Sequence, residues 1–504
     1  MGKSFAPFAL VGLAGVTWAC VVGAGGTGGT NTGNSAASDA GQGGQQRARS
    51  TNIARLYNET CAKCHGEGAE GGGGGTPSLL KRDKFDQKWD KPFFDAIKDG
   101  VSSAGMEAYG ETLSDEEIWG LVVHIRERQK AGIYAEEGIT TKESGGIYRS
   151  SLANFRLETV IDTGRGLKTP WGIDWLPDGK MLVTSRPGQM HVMLGGHLAE
   201  VSELPPVLEL GQGGLMDVAV HPDYKKNGWV YLAYTERASS GNGGMTKIVR
   251  GKLAISGNSA KWTGEQTVWQ ADQQFYNGNG VHFGSRIVFD KKGHIFFAVG
   301  ERGGNMLAQE LSNPFGKIFR LKEDGSVPAD NPFVKVNGAL PGIWSYGHRN
   351  QQGLVMDAAG NLWDTEHGPR GGDELNLIRK GANYGWPIAA YSINYNGSPF
   401  RTPWSKEGKD VIDPVFRWLP SIGASGLDVM RGTAFPAWSG DLFAGGLSGH
   451  NLDRFRVKDG KLVQQEELLY FKNDRVRDVS VGPDGMVYIA TNQPDRVIRL
   501  VPEK

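Results

Sequence analysis

The chain has 504 residues, enough for two or three domains. Its 55 basic residues balance its 55 acidic residues, which excludes an electrostatic case for binding nucleic acid or a membrane surface. The 75 glycines and 14 tryptophans favour a body built of β-strands and tight turns over a helical one.

The first fifty residues predict export. Lys3 precedes a mostly apolar, glycine-broken run from Phe5 to Val22, which is typical of a secretory signal peptide, and we assign residues 1–20 to it. Cys20 ends an imperfect lipobox, so we expect either a lipid anchor at Cys20 or plain cleavage and release. Residues 21–50 are rich in Gly and Ser and are predicted to be a flexible tether. No other segment of the sequence predicts a membrane span.

Cys61-Ala62-Lys63-Cys64-His65 has the pattern of a c-type haem attachment site. Each thiol can add to a haem vinyl group, and His65 can ligate the iron from one face. Zinc knuckles and thioredoxin-like sites also use Cys-x-x-Cys, but the following His and the absence of a second cysteine pair favour haem. Haem attachment agrees with export, so we expect a periplasmic or exported protein.

A glycine-bounded loop around Met106 offers a ligand for the other haem face. Ser114 is a natural N-cap with Glu117 at the third helical position, which predicts a helix running through Trp119 and beyond. This order of CxxCH, Met loop and closing helix resembles class I cytochromes c. By that resemblance Met106 is the sixth iron ligand, although it could instead be a core side chain. We assign residues 51–131 to this small all-α domain and residues 132–153 to a linker.

The rest of the chain, residues 154–504, repeats one pattern six times: a run of β-forming residues, a polar turn and a second run. The repeats lie about 45 to 75 residues apart, as propeller blades do. The pattern predicts a mainly β fold, a six-bladed β-propeller, with the strand from Phe155 to Thr163 closing the ring in the last blade. Six recurrences disfavour the alternative, a β-sandwich. The repeats begin at Gly172, Met216, Arg286, Gly353, Gly426 and Asp478.

Two motifs predict a general base at one end of the propeller channel. His282 stands at the entrance to a strand with glycine nearby, and Glu301 follows the ensuing hairpin, so both return to the same blade edge. A His–carboxylate pair holds the imidazole in one tautomer for proton abstraction. The alternative is that His282 is a buried structural histidine.

Further motifs supply ligands for anions and cations. Arg349 and Asn350, in YGHRN, suit a carboxylated planar ligand, and Arg475 and Arg477 share one face of an extended segment. The turns around Gly368-Pro369 and Asp373-Glu374 offer the oxygen donors that calcium prefers. The alternatives are that the two arginines pair with Asp474 and Asp478 on a solvated edge, and that the acidic turn binds no metal.

From roughly Phe155 to Pro502 the chain resembles the soluble pyrroloquinoline-quinone (PQQ) dependent glucose and aldose sugar dehydrogenases. The resemblance rests on GQGGLMD at 211–217, HFGSR, GERG, YGHRN, EHGP, DELNLI and NYGWP, which occur in the family's order. It implies a six-bladed propeller that holds PQQ and calcium over the channel mouth. It further implies oxidation of an aldose at C1 to the lactone.

The resemblance also implies roles for particular residues. His282 would take the sugar hydroxyl proton while hydride passes from C1 to the quinone C5, and Glu301 would orient His282. The carbonyls of Gly368 and Pro369 would bind the calcium that polarises the quinone, and Glu374 with the Tyr384 carbonyl would bind a second calcium. The residues implied to hold PQQ are Gln212, Arg349, Asn350, Arg475 and Arg477.

The chain departs from the family pattern at two places. Relatives carry a PQQ-binding Lys where this chain has Ser448-Gly449-His450, so His450 is the candidate substitute. Val281 stands where glucose-oxidising members have Asp, which points to a broader aldose specificity or to another alcohol or aldehyde.

The fused domains predict an electron path from PQQ to the chain's own haem c, and then to an external cytochrome, quinone or azurin-like carrier. The tether and linker would let the cytochrome shuttle while the propeller stays rigid. A non-catalytic scaffold propeller with a redox cytochrome is the alternative, as is a PQQ-independent lactonase-type hydrolase. The His282–Glu301 pair and the arginines argue against the first, and the GHRN and HFGSR motifs against the second.

Overall fold

The computed structural model describes residues 51–72, 75–137, 143–401 and 410–503. The predicted signal peptide, Cys20 and the predicted tether lie outside the described residues. Within the described ranges, no helix is both long and apolar enough to cross a membrane.

The N-terminal domain is helical, as predicted. Its α-helices are α1 (Ile53–Thr60), α2 (Ala62–His65), α3 (Asp90–Asp99) and α4 (Asp115–Glu137). Short 3₁₀ turns cover Arg82–Lys84, Gln87–Trp89 and Ser102–Ala104.

Helix α4 begins where the sequence predicts. The Glu117 N–H donates to Ser114 Oγ (3.2 Å) and the Ser114 N–H donates to Glu117 Oε2 (3.0 Å), which is a capping box. The helix buries Trp119 and its apolar neighbours against α1 and α3. It continues to Glu137, six residues beyond the predicted end of the domain, so part of the predicted linker is helical.

Six antiparallel four-stranded blades follow. A first hairpin, β1 (Glu143–Ser144) and β2 (Ile147–Arg149), leads into β3 (Asn154–Ile161). Blade one contains β4 (Pro170–Trp175), β5 (Met181–Ser185), β6 (Gln189–Leu194) and β7 (His197–Ser202). Blade two contains β8 (Leu215–Val220), β9 (Val230–Arg237), β10 (Gly244–Ser256) and β11 (Ser259–Gln270), with helix α5 (Tyr224–Asn227) between β8 and β9.

The other blades continue in chain order. Blade three contains β12 (Ile287–Phe289), β13 (His294–Val299), β14 (Lys317–Lys322) and β15 (Ile343–Tyr346). Blade four contains β16 (Gln351–Met356), β17 (Leu362–Glu366), β18 (Asp373–Ile378) and β19 (Phe416–Trp418). Blade five contains β20 (Ala424–Val429), β21 (Leu442–Gly446), β22 (Asn451–Lys458) and β23 (Lys461–Tyr470). Blade six contains β24 (Arg475–Val481), β25 (Val487–Asn492) and β26 (Arg496–Glu503).

Strand β3 closes the ring, as predicted. It pairs antiparallel with β26, from Asn154 opposite Glu503 to Ile161 opposite Val497, and so supplies the fourth strand of blade six. The innermost strands β4, β8, β12, β16, β20 and β24 each contact the next one around the circle. The β1–β2 hairpin extends the blade-six sheet, so residues assigned to the linker belong partly to the propeller.

Buried aspartates on the innermost strands join neighbouring blades. Asp217 accepts the N–H of Ile287 (2.8 Å), and Asp478 accepts the N–H of Ile173 (2.9 Å). Arg286 bridges both carboxylates, 3.1 Å from Asp217 and 2.8 Å from Asp478. Blades one, two, three and six are thus connected through one ionic centre beneath the channel mouth.

The helical domain packs against blade four and the long β18–β19 connection. Asp90 of α3 lies between Arg126 of α4 (2.7 Å) and Arg417 of the propeller (2.7 Å). Arg370 donates two hydrogen bonds to Glu127 of α4, at 2.7 and 2.9 Å. This differs from the expected shuttling domain, because buried and bidentate ion pairs join the two parts of the chain.

Candidate active site

His282 lies in a loop that leads into β12. Its φ of 53° falls in the left-handed region, which residues other than glycine rarely adopt. Its N–H donates to Gln212 Oε1 (2.8 Å), and the buried Arg302 guanidinium donates to the Val281 carbonyl. The loop conformation, and with it the direction of the imidazole, is therefore imposed by neighbouring residues.

Glu301 contacts His282 directly, as the sequence predicts. His282 Nδ1 is hydrogen-bonded to Glu301 Oε1, and Glu301 Oε2 accepts the Asn305 N–H at 2.6 Å. A Cβ on Gly300 would stand 2.3 Å from the His282 carbonyl oxygen, so glycine permits this close approach. With Nδ1 protonated toward the carboxylate, Nε2 is the nitrogen that can act as a base.

The pKa values of this pair follow from burial and from each other. Burial lowers the pKa of His282 from its ordinary 6.5, and Arg349 lowers it further, whereas the hydrogen bond that His282 donates to Glu301 raises it. Burial alone would raise the pKa of Glu301, but the His282 hydrogen bond and charge outweigh it and lower that pKa. The pair therefore consists of a neutral imidazole and a carboxylate near neutral pH.

Arg349, Arg475 and Arg477 form no ion pair with any carboxylate in the described part of the chain. Arg349 stacks on Trp386, with Cζ 5.1 Å from the ring centroid, and donates to the carbonyls of His367 (3.2 Å) and Gly368 (3.0 Å). Arg477 stacks on Trp171 at 4.0 Å.

The carboxylates next to these arginines pair elsewhere. Asp474 is ion-paired with Arg496, and Asp478 is ion-paired with Arg286. The geometry therefore disagrees with the alternative in which Arg475 and Arg477 pair with their sequence neighbours.

Hydrogen bonds place Arg349 and Arg477 on the His282 side of the site. The Glu301 N–H donates to the Arg349 carbonyl (2.9 Å), and Arg477 donates to Gln352 (3.4 Å), which donates to Asn350 (3.2 Å). Burial, Arg349, Arg477 and His282 together hold the pKa of His367 well below its ordinary value. Burial also lowers the pKa of Arg477, and Arg475 and two further arginines act in the same direction. Uncompensated buried cations are unfavourable, and an anionic ligand would relieve them.

Residues 167–499 match the family model described as Glucose / Sorbosone dehydrogenase. The chain belongs to the glucose/sorbosone dehydrogenase family. Residues 48–125 match the model described as Cytochrome C oxidase, cbb3-type, subunit III. The chain is thus an oxidoreductase of the PQQ-dependent sugar dehydrogenase family with an N-terminal domain of the cytochrome c type.

Known relatives cover the propeller. The chain is 41% identical over 334 residues to aldose sugar dehydrogenase YliI of Escherichia coli, covering 65% of this chain and 88% of that protein. It is 26% identical over 431 residues to quinoprotein glucose dehydrogenase B of Acinetobacter calcoaceticus, covering 69% of this chain and 88% of that protein. The PQQ-bound aldose sugar dehydrogenase of Streptomyces coelicolor superposes with a TM-score of 0.57 at 28% identity, covering 70% of this chain and all of that structure.

In this family member, the loop of residues 367–372 between β17 and β18 carries the predicted calcium carbonyls. The Gly368 N–H donates to Asp373 Oδ1 (2.9 Å), which ties the start of the loop to its end. The Gly368 carbonyl accepts from Arg349, so Arg349 and the loop are adjacent. Asn350 lies alongside, because its carbonyl accepts the His367 N–H at 3.1 Å.

Glu366 and Glu374, both predicted from the sequence as oxygen donors for calcium, lie on one face with two further donors that were not predicted, Asp364 and Asn376. Asp364 and Glu366 on β17 oppose Asn376 and Glu374 on β18. Both carboxylate oxygens of Asp364 and the side-chain oxygen of Asn376 are buried and accept no hydrogen bond from any described residue. The alternation of these residues along two paired strands was the available signal, since alternate residues share one sheet face. Tyr384 is buried beside them, stacked on His348 at 4.6 Å.

The haem-binding candidates lie together in the N-terminal domain. Cys61 and Cys64 are free thiols. Cys61 is the N-cap of α2, Cys64 is its third residue, and His65 is its last. Cys61 and Met106 pack against the same hydrophobic cluster. Burial lowers the pKa of His65, which favours the neutral imidazole that ligates metals.

His450, the candidate substitute for the family's Lys, lies next to the arginines. Its Nδ1 is 3.1 Å from the carbonyl of Asp474, the residue before Arg475. Two residues of the site had no predicted role. One is His367, in the EHGP motif. The other is Arg302, whose guanidinium carbon lies 3.5 Å from the centroid of the Phe283 ring.

Proposed function

We propose that this chain is a calcium-dependent quinoprotein dehydrogenase that oxidises an aldose at C1 to the lactone. Electrons would leave through its own covalently bound haem c to an external acceptor. The observation that carries the proposal is a group of arginines beside the His282–Glu301 base, Arg349 and Arg477 buried and Arg475 half-buried. None of them pairs with a carboxylate of a described residue. PQQ bears three carboxylates, so it matches both the charge and the bidentate geometry that Arg349, Arg475 and Arg477 offer.

The side chains divide the work of binding and proton transfer. Arg349, Arg475 and Arg477 would hold the cofactor carboxylates, while the Gly368 and Pro369 carbonyls would hold calcium. PQQ, when bound, supplies the electrophilic quinone carbon that accepts hydride. His282 Nε2 would take the proton of the sugar C1 hydroxyl, and Glu301 would stabilise the resulting imidazolium.

Gln212 and Asn350 would position the His282 loop and would take no part in the reaction. Gln212 fixes the His282 backbone, and Asn350 Oδ1 accepts the Gly284 N–H at 3.2 Å, so both residues connect the cofactor side of the channel to the base.

A second calcium would lie between β17 and β18. Glu374 and the Tyr384 carbonyl were the ligands implied by resemblance, and Asp364, Glu366 and Asn376 supply additional oxygens on the same face. Burial and the neighbouring carboxylates raise the pKa of Asp364 and of Glu374, so this face needs protons or a cation. The oxygen donors of this face are of the kind that calcium takes, and His348 Nδ1 lies beside them, 3.1 Å from Glu366 and 3.7 Å from Asp364.

Haem attached through Cys61 and Cys64, with His65 and Met106 as axial ligands, would carry the electrons. Aldose oxidation releases two electrons and two protons. Because a haem iron accepts one electron at a time, the external acceptor must reoxidise it once between the two transfers. This chemistry agrees with the proposed periplasmic or exported location, with or without a lipid on Cys20.

The proposal is tested by loading the haem protein with PQQ and Ca²⁺ and offering a panel of aldoses with an artificial electron acceptor. We expect PQQ binding by titration calorimetry, acceptor reduction with several aldoses, and a lactone product by mass spectrometry. Failure to bind PQQ would favour the scaffold alternative. Hydrolysis of an added sugar lactone without PQQ, with no acceptor reduced by any aldose, would favour the lactonase-type alternative.

Replacing Met106 by Ala is expected to lower the haem reduction potential by roughly 0.1 V or more, because a thioether ligand stabilises the reduced iron. The measurement is a spectroscopic redox titration. Met306→Ala is the control, since Met306 is exposed on the propeller. An unchanged potential in Met106→Ala would show that the sulfur does not ligate the iron.

The pH dependence should report the buried base. Because burial lowers the pKa of His282, Nε2 becomes protonated only at a pH below 6.5. The acid limb of the kcat/KM profile is therefore expected below that value. Glu301 raises this pKa, so Glu301→Gln should move the acid limb to still lower pH while reducing the maximal rate. A limb that moves upward in Glu301→Gln would contradict the assignment.

A further inference from the structure

The β17–β18 loop touches the proposed cofactor site at one end and the cytochrome at the other. Gly368 and Pro369 belong to the site, and the next residue, Arg370, forms the bidentate pair with Glu127 of α4. Arg370 also exchanges two backbone hydrogen bonds with Ile393, at 3.1 and 3.2 Å. Pro369 thus belongs to the proposed cofactor site, while the next residue, Arg370, binds the helical domain.

Arg370 and its neighbours on the propeller form the surface against which the helical domain packs. We call this surface the docking surface. Its members on the propeller are Arg370, Tyr391, Ile393, Gly397 and Arg417. Trp119 of α4 meets Tyr391 edge to face, with ring centroids 5.7 Å apart. A Cβ on Gly371 would be 3.4 Å from Val123 Cγ1, so the loop backbone itself lies against α4.

Polar contacts at the docking surface are as specific as the apolar ones. The Ile53 N–H donates to the Gly397 carbonyl at 2.9 Å, a backbone bond between the two domains. Arg417 binds Asp90 and stacks on Tyr391, with Cζ 4.4 Å from the ring centroid. The Asp90 side chain is 1% exposed and that of its second partner Arg126 is 2% exposed. Opening the interface would therefore separate Arg417 from Asp90, while the Asp90–Arg126 pair inside the helical domain would remain.

The haem-ligand segments take no part in these contacts. No hydrogen bond or ion pair in the described ranges joins residues 61–65 or 102–112 to the propeller. Helix α4 thus presents Trp119, Val123 and Glu127 to the docking surface, while Leu121, Val122 and other apolar residues belong to the cytochrome core. It is the element that lies between the cofactor loop and the haem-binding interior.

We propose that the cytochrome is a permanently docked domain, held by the docking surface, and that Arg370 is a positioning residue that sets the β17–β18 loop and α4 relative to each other. Electrons would then pass through α4 without domain movement, and the haem-ligand side would stay open to the external acceptor. The electron path rests on the proposed dehydrogenase function; the docking itself does not.

Charge reversal of the central ion pair tests the docking in haem-loaded protein without PQQ or sugar. Glu127→Arg and Arg370→Glu should each speed amide hydrogen exchange at least about tenfold in residues 391–397 and in the first half of α4, because local opening becomes easier. The double variant should restore slow exchange, since the two charges are exchanged rather than lost. Glu59→Arg is the matched control, because Glu59 is exposed and its ion pair is with the equally exposed Arg55, at 3.7 Å.

Equal exchange in wild type and both single variants would overturn the docking proposal, whatever the enzyme activity. A second measurement covers the electron path. In protein loaded with PQQ and Ca²⁺, sugar-driven haem reduction should keep its rate when buffer viscosity is raised threefold. A rate that falls in proportion to viscosity would show that the cytochrome moves between reduction and docking, and would overturn the proposal.

Discussion

Replacing His282 by Ala is expected to lower kcat of the PQQ- and calcium-loaded enzyme by roughly 10²–10⁴-fold, the range that a general base contributes. The loss follows from removing Nε2, the nitrogen left available when Nδ1 bonds to Glu301. Affinity for PQQ should change little, because the arginines that hold its carboxylates are separate side chains. Steady-state kinetics and PQQ titration on the same preparation measure both quantities.

His197→Ala is the control for this substitution, because His197 is exposed on β7 and is not one of the predicted site residues. It should retain wild-type activity. If His282→Ala keeps a substantial part of the wild-type rate with PQQ bound, another group abstracts the proton and the assignment of the base is wrong.

Replacing Arg286 by Leu is expected to destabilise the propeller by about 3–5 kcal/mol, because two buried carboxylates lose their shared cation. Arg286 has 8% of its side chain exposed and bonds to Asp217 and Asp478 as well as to the carbonyls of Gln352 and Trp171. Urea unfolding followed by tryptophan fluorescence measures the loss. Arg165→Leu, which removes an exposed arginine of the loop between β3 and β4, should cost far less.

The pH dependence of this loss gives an independent check. Burial raises the pKa of Asp217 to about 7 even with Arg286 present. A folded-state pKa above the unfolded value means that stability is kept at low pH and lost as pH rises through the folded pKa. Arg286→Leu should therefore be more damaging at pH 8 than at pH 5. A loss that is small, or larger at pH 5, would contradict the role of Arg286 as the cation of this centre.

The sequence predicts the propeller well because each blade contains a hairpin that can be recognised from its local sequence. Alternating β-forming runs around a turn such as Gly179 or Gly485 specify a hairpin without reference to the rest of the chain. The closing strand β3 was predictable because an open ring would leave edges unpaired. The capping box at Ser114 and Glu117 likewise marks the start of α4 from four consecutive residues.

The docked cytochrome was not predictable by the same means. Asp90 and Arg417 are 327 residues apart, and nothing in the local pattern of either segment indicates that they meet. The glycines of the predicted linker suggested freedom of movement, whereas α4 runs on to Glu137 and the β1–β2 hairpin joins blade six. Contacts between distant segments depend on surface shape, which sequence spacing does not encode.

In the candidate site, too, the features set by local sequence were predictable and those set by contacts between distant segments were not. His282 and Glu301 were predictable because one hairpin returns both to the same edge, and the structure brings them into contact. The oxygen donors Asp364 and Asn376 escaped notice because their significance depends on strand register and burial. The arginines were predicted from their motifs to bind an anion. That they have no carboxylate partner among the described residues became visible only when Asp474 and Asp478 were seen paired elsewhere.

The central claim, that sugar oxidation in the propeller reduces the haem of the same chain, is tested most directly by the haem α-band. The haem-loaded protein is mixed with an aldose, first without and then with PQQ and Ca²⁺. The account predicts haem reduction only when sugar, PQQ and Ca²⁺ are all present, and none in His282→Ala. Haem that stays oxidised when no other acceptor is present, while a parallel sample of the same loaded protein reduces an artificial acceptor, would contradict the internal electron path.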